Sequence, residues 1–567
     1  MTDARLDSAY GAVEDGGVRG EEARASPQRP HFRALVQALA LLCVVSAGVS
    51  MNARTAVAPV LDKIVDDDDD RAAVHVAALT TRTLFLPTTD RGLDGFREIY
   101  SWNQGIQAPT VRVSVGTTVE RTLTNFLLSE TVTVHHHGVH MIATPYFDGA
   151  SAITQSGVEP GHSMTYRFVA EPKGTHWYHS HIGAQIGDGL KGMFIVEDPH
   201  DPWKPFYSVD QELMFYEWYD APAEEYWVEK SMAPSAPQDF PNGVVNGIVS
   251  RGAHGATAGF TFEVGHGRAA RLRLCYGGIN YKFRVEIPGF NLTVIAKDGT
   301  QVRPVNTRTI KIHAAERYDV IVETAHVAPG DYIINFDATS HDEIVDDTFR
   351  RPNWGHINAT LRVRAAGDDA LPVHADGKQR GAERALDVSG YPFIDSIDLS
   401  HDIDALRQTE TPCPRDADRS IPFVITAGFP LLKSGGRLVR APPSVSSTAF
   451  WRVNNNSWVD PSSPLYLTKG KCCVSTVPNF ETKLEKVDLG EIIDVVVIQN
   501  GLGSEQEVHP LHLHGNKFWV VGSGPLPYPG HVEKVPNYNT VDPIYADTFP
   551  VVTGCAAPLP RAFEFVF

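Results

Sequence analysis

The chain has 567 residues, 42% of them hydrophobic and 21% charged, with a net charge of −18. That length allows about three domains, each large enough for its own core, and the composition is ordinary for a globular protein. The acidic balance, with no basic run after residue 35 to offset it, excludes a nucleic-acid partner, whose capture depends on clustered Lys and Arg.

Residues 1–33 form a polar leader that ends with Arg24, Arg29, His31 and Arg33, and the apolar run "ALVQALALLCVVSAGV" follows from Ala34 to Val49. Sixteen residues fall short of the roughly 20 that span a bilayer comfortably. A basic flank, a short apolar core and small residues at Ser46, Ala47 and Gly48 predict a secretory signal over 34–50; the long leader keeps an uncleaved signal anchor as the alternative. Either way the bulk of the chain is expected outside the cytosol, secreted or membrane-anchored through residues 34–49. Residues 51–79 read as an acidic linker around "VDDDDDRAA", a solvated charge run. Of six cysteines, Cys275, Cys413, Cys472, Cys473 and Cys555 follow Cys43. Export would oxidise some of them, and an odd number leaves one without a partner in the chain. Sequons at Asn291, Asn358 and Asn455 agree with an exported glycoprotein.

From about residue 80 onward, short alternating strands broken by Gly, Pro and Asn dominate. "VRVSVGTTVERTLTN", "TVTVHHHG", "RLRLCYGG" and "EIIDVVVIQN" fit a period of two better than 3.6. Thirty-nine prolines and 47 glycines supply the turns. The expected fold class is all-β, built of sandwiches or Greek-key barrels. Boundaries fall at about 80–200, 201–365 and 391–567, with the polar, Gly-rich stretch 366–390 as a linker.

An internal repeat joins the first and last of these regions. "VGTTVERTLTN…TVHHHGVH" and "LGEIIDVVVIQN…HPLHLHG" each run from a glycine turn through a β-rich stretch and an Asn to His-x-His-Gly. The first region then adds "TYRFVAEPKGTHWYHSH", a second His-x-His eleven residues after Phe168. Aligning Phe168 with Phe565 of "FEFVF" places the matching histidine beyond Phe567, so the third region is expected to be incomplete.

Imidazole clusters suit Zn, Cu, Fe or Ni, whereas Mg and Ca call for carboxylates. Residues two apart on a strand share one face, about 6.6 Å apart, so His135/His137, His179/His181 and His512/His514 can each converge on one ion or reach two adjacent ions. His509 precedes His512 by three, and Pro510 disfavours a helix. His509 therefore projects to the opposite side and is expected to serve a different metal centre. His136, the middle of "HHH", alternates away from its neighbours and is expected not to ligate. His140 and His162 are expected at the surface or behind the ligands.

These blocks resemble the multicopper oxidases, the laccases, ascorbate oxidases and related blue-copper enzymes. "TVHHHGVHMIATPYFDGASAITQSGVEPGHSMTYRF", "GTHWYHSHIGAQIGDGLKGMFIVED" and "HPLHLHGNKFWVVG" look like three of the family's four copper-ligand blocks, and "VVNGI", "LTVIAKDGT" and "AAERYDVIVET" are similar to its middle domain. The resemblance spans roughly residues 95–567. It implies three consecutive cupredoxin-like Greek-key sandwiches, copper as cofactor, and O₂ plus a small phenolic or ascorbate-type reductant as partners. By position, His135 and His512 would hold the type 2 copper, and His137, His179, His181 and His514 the binuclear type 3 pair. His509 would be a type 1 ligand, and Asp148 of "YFDGA" an acid near the cluster that orients water or supplies protons. His176 stands where the family usually has an aromatic residue, and Asn516 replaces a histidine that is not a ligand. The fourth block, a His-Cys-His segment carrying the type 1 thiolate, does not occur here; no cysteine has a histidine within two residues. The resemblance thus implies either an oxidase whose sequence is incomplete or a non-catalytic copper protein with a partial cluster. A structural zinc protein is a third reading.

Overall fold

In the computed structural model the described residues lie between 63 and 566, and the longer breaks are 66–73, 88–95, 227–241, 252–258, 340–354, 366–383, 441–449, 455–462, 468–486, 501–507, 526–538 and 553–560. The signal region, the "VDDDDDRAA" stretch, Asn455, most of the expected linker and four of the six cysteines lie outside them. Among the described residues Cys275 and Cys413 are free and buried, and no helix is long and apolar enough to cross a membrane.

The described elements are almost entirely strands, with only short helical turns between them. The expected all-β class is what forms, for the reason visible in the burial pattern. In Thr118–Asn125 alternate residues Val119, Arg121, Leu123 and Asn125 are buried and their neighbours half-exposed. Tyr166 and Phe168 face inward from Ser163–Val169 in the same way. Val119, Leu123, Tyr166, Phe168 and Phe194 meet in one apolar cluster, as period-two segments must when two sheets share a core.

The repeat is structural as well as sequential. Thr118–Asn125 lies between Val74–Pro87, its parallel partner, and Ser163–Val169, its antiparallel partner. Ile493–Asn500 likewise lies between parallel Arg419–Gly428 and antiparallel Arg561–Val566. Val119 pairs with Phe168 in the first unit and Val495 with Phe565 in the second. Each centre strand follows a glycine in the left-handed region, Gly116 at φ 86° and Gly490 at φ 88°, a conformation side-chain-bearing residues resist.

Between these units in sequence a 12-stranded sheet contributes much of an apolar core that continues into the third region through Ile493, Val495 and Phe518. Its strand Ala269–Tyr276 is buried along its whole length. Leu272 and Leu274 enter the core, while Arg271 and Arg273 point to the other side and are matched there. Arg273 forks onto Asp210 at 2.6 and 3.0 Å, and Arg271 donates to Asp319 at 2.5 Å and Asp201 at 2.8 Å. Phe393–Ile397 joins this sheet in parallel with Thr300–His313. Just before it, Leu386 from the stretch expected as linker is buried beside Ile295 and Ile321.

Removing one partner of a buried ion pair leaves an uncompensated charge, which costs about 3–5 kcal/mol. Asp210→Ala is expected to lower unfolding stability by about that amount, measured by urea denaturation against Glu120→Ala, whose partner Arg167 is largely exposed.

Candidate metal centre

Two short antiparallel strands carry His135, His137 and His179. His135–His137 pairs with Gly174–His179, so that His135 stands opposite His179 and His137 opposite Trp177. His181 lies two residues past the second strand. His512 ends the strand Val508–His512, which pairs with Thr548–Val552, and His514 follows in the turn. The six rings meet. From the His135 ring the centroids of His514, His179, His512, His137 and His181 stand at 3.9, 5.3, 5.6, 5.7 and 5.8 Å. His137 stacks on His512 at 3.5 Å, and His181 lies 5.0 Å from His514. Residues nearly four hundred positions apart in sequence therefore form one cluster, with His135, His137 and His179 buried and His181, His512 and His514 half-buried.

The second nitrogen of each ring shows which atom is left to bind. His135 Nδ1 donates to the Asp148 carbonyl at 2.7 Å, His179 Nδ1 to the Ser180 carbonyl at 2.8 Å, His512 Nδ1 to the Asp547 carbonyl at 2.8 Å, and His514 Nδ1 to Asp148 Oδ2 at 2.8 Å. Carbonyl and carboxylate oxygens only accept, so these four rings carry their proton on Nδ1 and present the Nε2 lone pair. His137 is reversed. Its Nε2 lies 2.9 Å from Thr548 Oγ1 and 3.2 Å from Asp547 Oδ1, and the Thr548 hydroxyl is itself committed to Asp547 at 2.9 Å. His137 Nε2 is thus the donor and Nδ1 the free lone pair.

This donor set fits a metal ion. His135, His137 and His512 offer nitrogens that all lie within 4.8 Å of one another, and the Nε2 atoms of His135 and His512 face each other at 3.4 Å. Two lone pairs cannot hydrogen-bond to each other, yet donors about 2 Å from a shared ion stand about that far apart. Burial, the largest influence, holds His137, His179 and His512 well below the usual imidazole range, lowers His514, and brings His181 down to about 4. These rings stay neutral at physiological pH, as ligation requires. An all-imidazole set with no thiolate among the six suits copper or zinc.

Asp148 belongs to the same assembly. It is 5% exposed and its Oδ1 lies 3.2 Å from His135 Nδ1. Burial opposes its charge, but His135 and His514 outweigh that and hold the carboxyl far below the usual range. Its geometry depends on Gly149 at φ 84°, where an added Cβ would meet the Val134 carbonyl at 2.0 Å. The Asp-Gly pair is a tight turn and a site element at once.

His509 lies on the same strand three residues before His512, an odd offset that in a regular strand puts two side chains on opposite faces. Burial lowers His509 to about 4. His136 is fully buried and turned away from the cluster, against Phe168 at 4.5 Å, with Nε2 accepting from Arg121 at 3.2 Å. His140 is half-buried, His162 is exposed, and His176 is buried with Nε2 donating to the Pro172 carbonyl at 2.8 Å.

Sequence reasoning missed the groups behind the ligands. Asp547 and Thr548 are fully buried, as is Arg317, which forks onto Asp547 at 2.7 and 2.5 Å. Asp298, Lys297, Glu316 and Lys517 continue this buried network. The available signal was a charge set among apolar residues, Asp547 between two short strands in "IYADTFPVV" and Arg317 at the start of the strand in "AERYDVIV".

The pH dependence of stability follows from all the lowered histidines, and its window is marked by His181 and His509. Their folded values near 4 lie below the unfolded value of about 6.5. Between those limits the unfolded chain binds protons that the folded chain refuses, so stability falls with acidification by about 1.4 kcal/mol per pH unit for each such group. Asp148 and Asp547, depressed below the carboxylate range, contribute only at lower pH. Metal-free protein is therefore expected to lose urea resistance steadily from pH 6.5 to 4, and a flat midpoint over that window would contradict the burial of these rings.

Three family profiles described as multicopper oxidase match residues 88–201, 210–351 and 455–557, together more than half of the chain. Laccase-1 of Botryotinia fuckeliana is 26% identical over 477 residues, covering 83% of this chain and 75% of that protein. The L-ascorbate oxidase of Cucumis sativus is 26% identical over 475 residues, covering 74% of each. Among solved structures, the laccase from Botrytis aclada superposes with a TM-score of 0.65 at 22% identity over 87% of this chain and 82% of that one. Fet3p, a multicopper oxidase that functions in iron import, superposes with a TM-score of 0.64 at 21% identity over 87% and 85%. The chain belongs to the multicopper oxidase family.

Proposed function

We propose that the six-imidazole crevice holds the oxygen-reducing copper cluster of an oxidase that couples one-electron oxidation of a phenolic or ascorbate-type reductant to four-electron reduction of O₂ to water. The observation that carries this reading is the convergence of His135, His137, His179, His181, His512 and His514 with five of their lone pairs selected by hydrogen bonds. His135 and His512 would hold the type 2 ion, and His137, His179, His181 and His514 the type 3 pair. His509 would ligate the type 1 centre on the other face of its strand. This divides the chain into three cupredoxin-like domains at about 80–200, 201–365 and 391–567, of which the first and third supply every ligand.

Bound copper supplies the single-electron storage that lets a one-electron reductant drive a four-electron reduction. The protein's residues do the rest. The Asp148 and Asp547 carbonyls hold the His135 and His512 rings. The Asp148 carboxylate orients His514, and its Oδ1 is an acceptor for water near the cluster. The apolar run at 34–49 supports export, and Leu292–Lys297 and the strands around it carry structure rather than ligands.

Copper-loaded protein is expected to show a type 2 copper signal by electron paramagnetic resonance. His135→Ala or His512→Ala should abolish it, while His509→Ala leaves it in place. Oxygen uptake with a phenol or ascorbate, measured on the full gene product, should fall at least a hundredfold in His135→Ala. Copper uptake indifferent to His135 and His512, or a copper-loaded gene product that oxidises neither class of reductant, would refute the assignment.

A further inference from the structure

The strand Arg317–Glu323 belongs to the middle sheet, which contributes none of the six converging histidines, yet its first residue reaches the cluster from behind. Arg317 is fully buried and its donors are committed. Nε donates to the Thr175 carbonyl at 3.1 Å, on the strand that carries His179. Nη1 donates to the Ala315 carbonyl at 3.0 Å and to Asp547 Oδ1 at 2.7 Å, and Nη2 to Asp547 Oδ2 at 2.5 Å. Asp298 Oδ1 lies 3.3 Å from the same Nη1. The two-pronged contact fixes the plane of the Asp547 carboxylate, as only a guanidinium can. From that plane Oδ1 accepts from His137 Nε2 and from the Thr548 hydroxyl, while the Asp547 backbone carbonyl accepts from His512 Nδ1. Gly138 records how closely the pieces fit. A Cβ there would lie 2.4 Å from His176 Nδ1, 2.8 Å from Arg317 Nη2 and 2.9 Å from Asp547 Oδ2.

We propose that Arg317 is a positioning residue of the metal centre: by fixing Asp547 it dictates that His137 presents Nδ1, the reverse of the rings around it. The claim about copper affinity rests on the cluster reading above, whereas the claim about the His137 tautomer holds without any metal. A ring free to take either tautomer presents the wrong nitrogen part of the time, and loss of such an outer partner typically weakens metal binding by 10- to 100-fold.

The test uses metal-free protein labelled with ¹⁵N-histidine, with His137 assigned through a His137→Gln variant, followed by copper titration. Wild type should show His137 protonated on Nε2. Arg317→Met should mix the two tautomers and weaken copper binding about 10- to 100-fold. Should that variant fail to fold, Arg317→Lys, which keeps the buried charge but cannot form the fork, carries the same test. Arg273→Lys, another buried arginine, which forks onto Asp210 and touches Thr175 and Asp319 but not Asp547, should leave the His137 tautomer unchanged. A folded Arg317→Lys with the wild-type tautomer and copper affinity within threefold of wild type would overturn the proposal, as would the same tautomer change in Arg273→Lys. Failure of wild type to bind copper would instead strike the cluster reading, and the tautomer comparison would still decide the role of Arg317.

Discussion

An imidazole has two nitrogens, and a metal centre needs one of them bare. Everything around the six histidines follows from that constraint. A carbonyl or carboxylate that accepts from one nitrogen leaves the other's lone pair exposed to the crevice, and a buried ring without such an acceptor would leave a polar group unmatched. The acceptors are the Asp148, Ser180 and Asp547 carbonyls, the Asp148 carboxylate, and the Asp547–Thr548 pair. Their placement, more than that of the histidines, is what the surrounding strands must hold to within a fraction of an ångström.

That demand accounts for the unusual density of buried charge behind the cluster. Lys297, Asp298, Glu316, Arg317 and Asp547 are all fully buried, and Lys517 nearly so. Such a network is a poor way to gain stability, because desolvating each ion offsets most of the Coulomb attraction. Its value is directional. A fork between Arg317 and Asp547 permits one orientation of the carboxylate, where an apolar contact of the same size would permit several. Lys517 shows the strain of the arrangement: burial brings its ammonium down to about 8 even with Asp547 close by.

The structural repeat explains how ligands from opposite ends of the chain come to face one another. Both centre strands begin after a left-handed glycine, run between one parallel and one antiparallel partner, and lead to a His-x-His-Gly segment whose glycine is also left-handed, Gly138 at φ 91° and Gly515 at φ 71°. Two similar units present similar edges, and a shared crevice between them draws ligands from each. The middle sheet provides the charged backing.

The all-β class and the turn of His136 away from its neighbours were legible in the sequence as short-range periodicity, and the repeat as a recurring motif, whereas the meeting of the three His-x-His pairs was implied only by the family resemblance. Alternation by two sets which face a side chain takes, and His135, His136 and His137 obey it whatever lies beyond them. Leu386, inside the polar, Gly-rich stretch 366–390, and Phe393–Ile397, at the start of the third expected region, show where such reading stops: burial against Ile295 and pairing with Thr300–His313 are long-range events. The same holds at the site. That Asp148 takes His514 as partner, that Asp547 reverses the His137 ring, and that Arg317 reaches across from a strand without ligands are contacts between residues roughly 230 to 410 positions apart. No local pattern encodes them, since a hydrogen bond depends on where two chain segments end up and not on what surrounds either one in sequence.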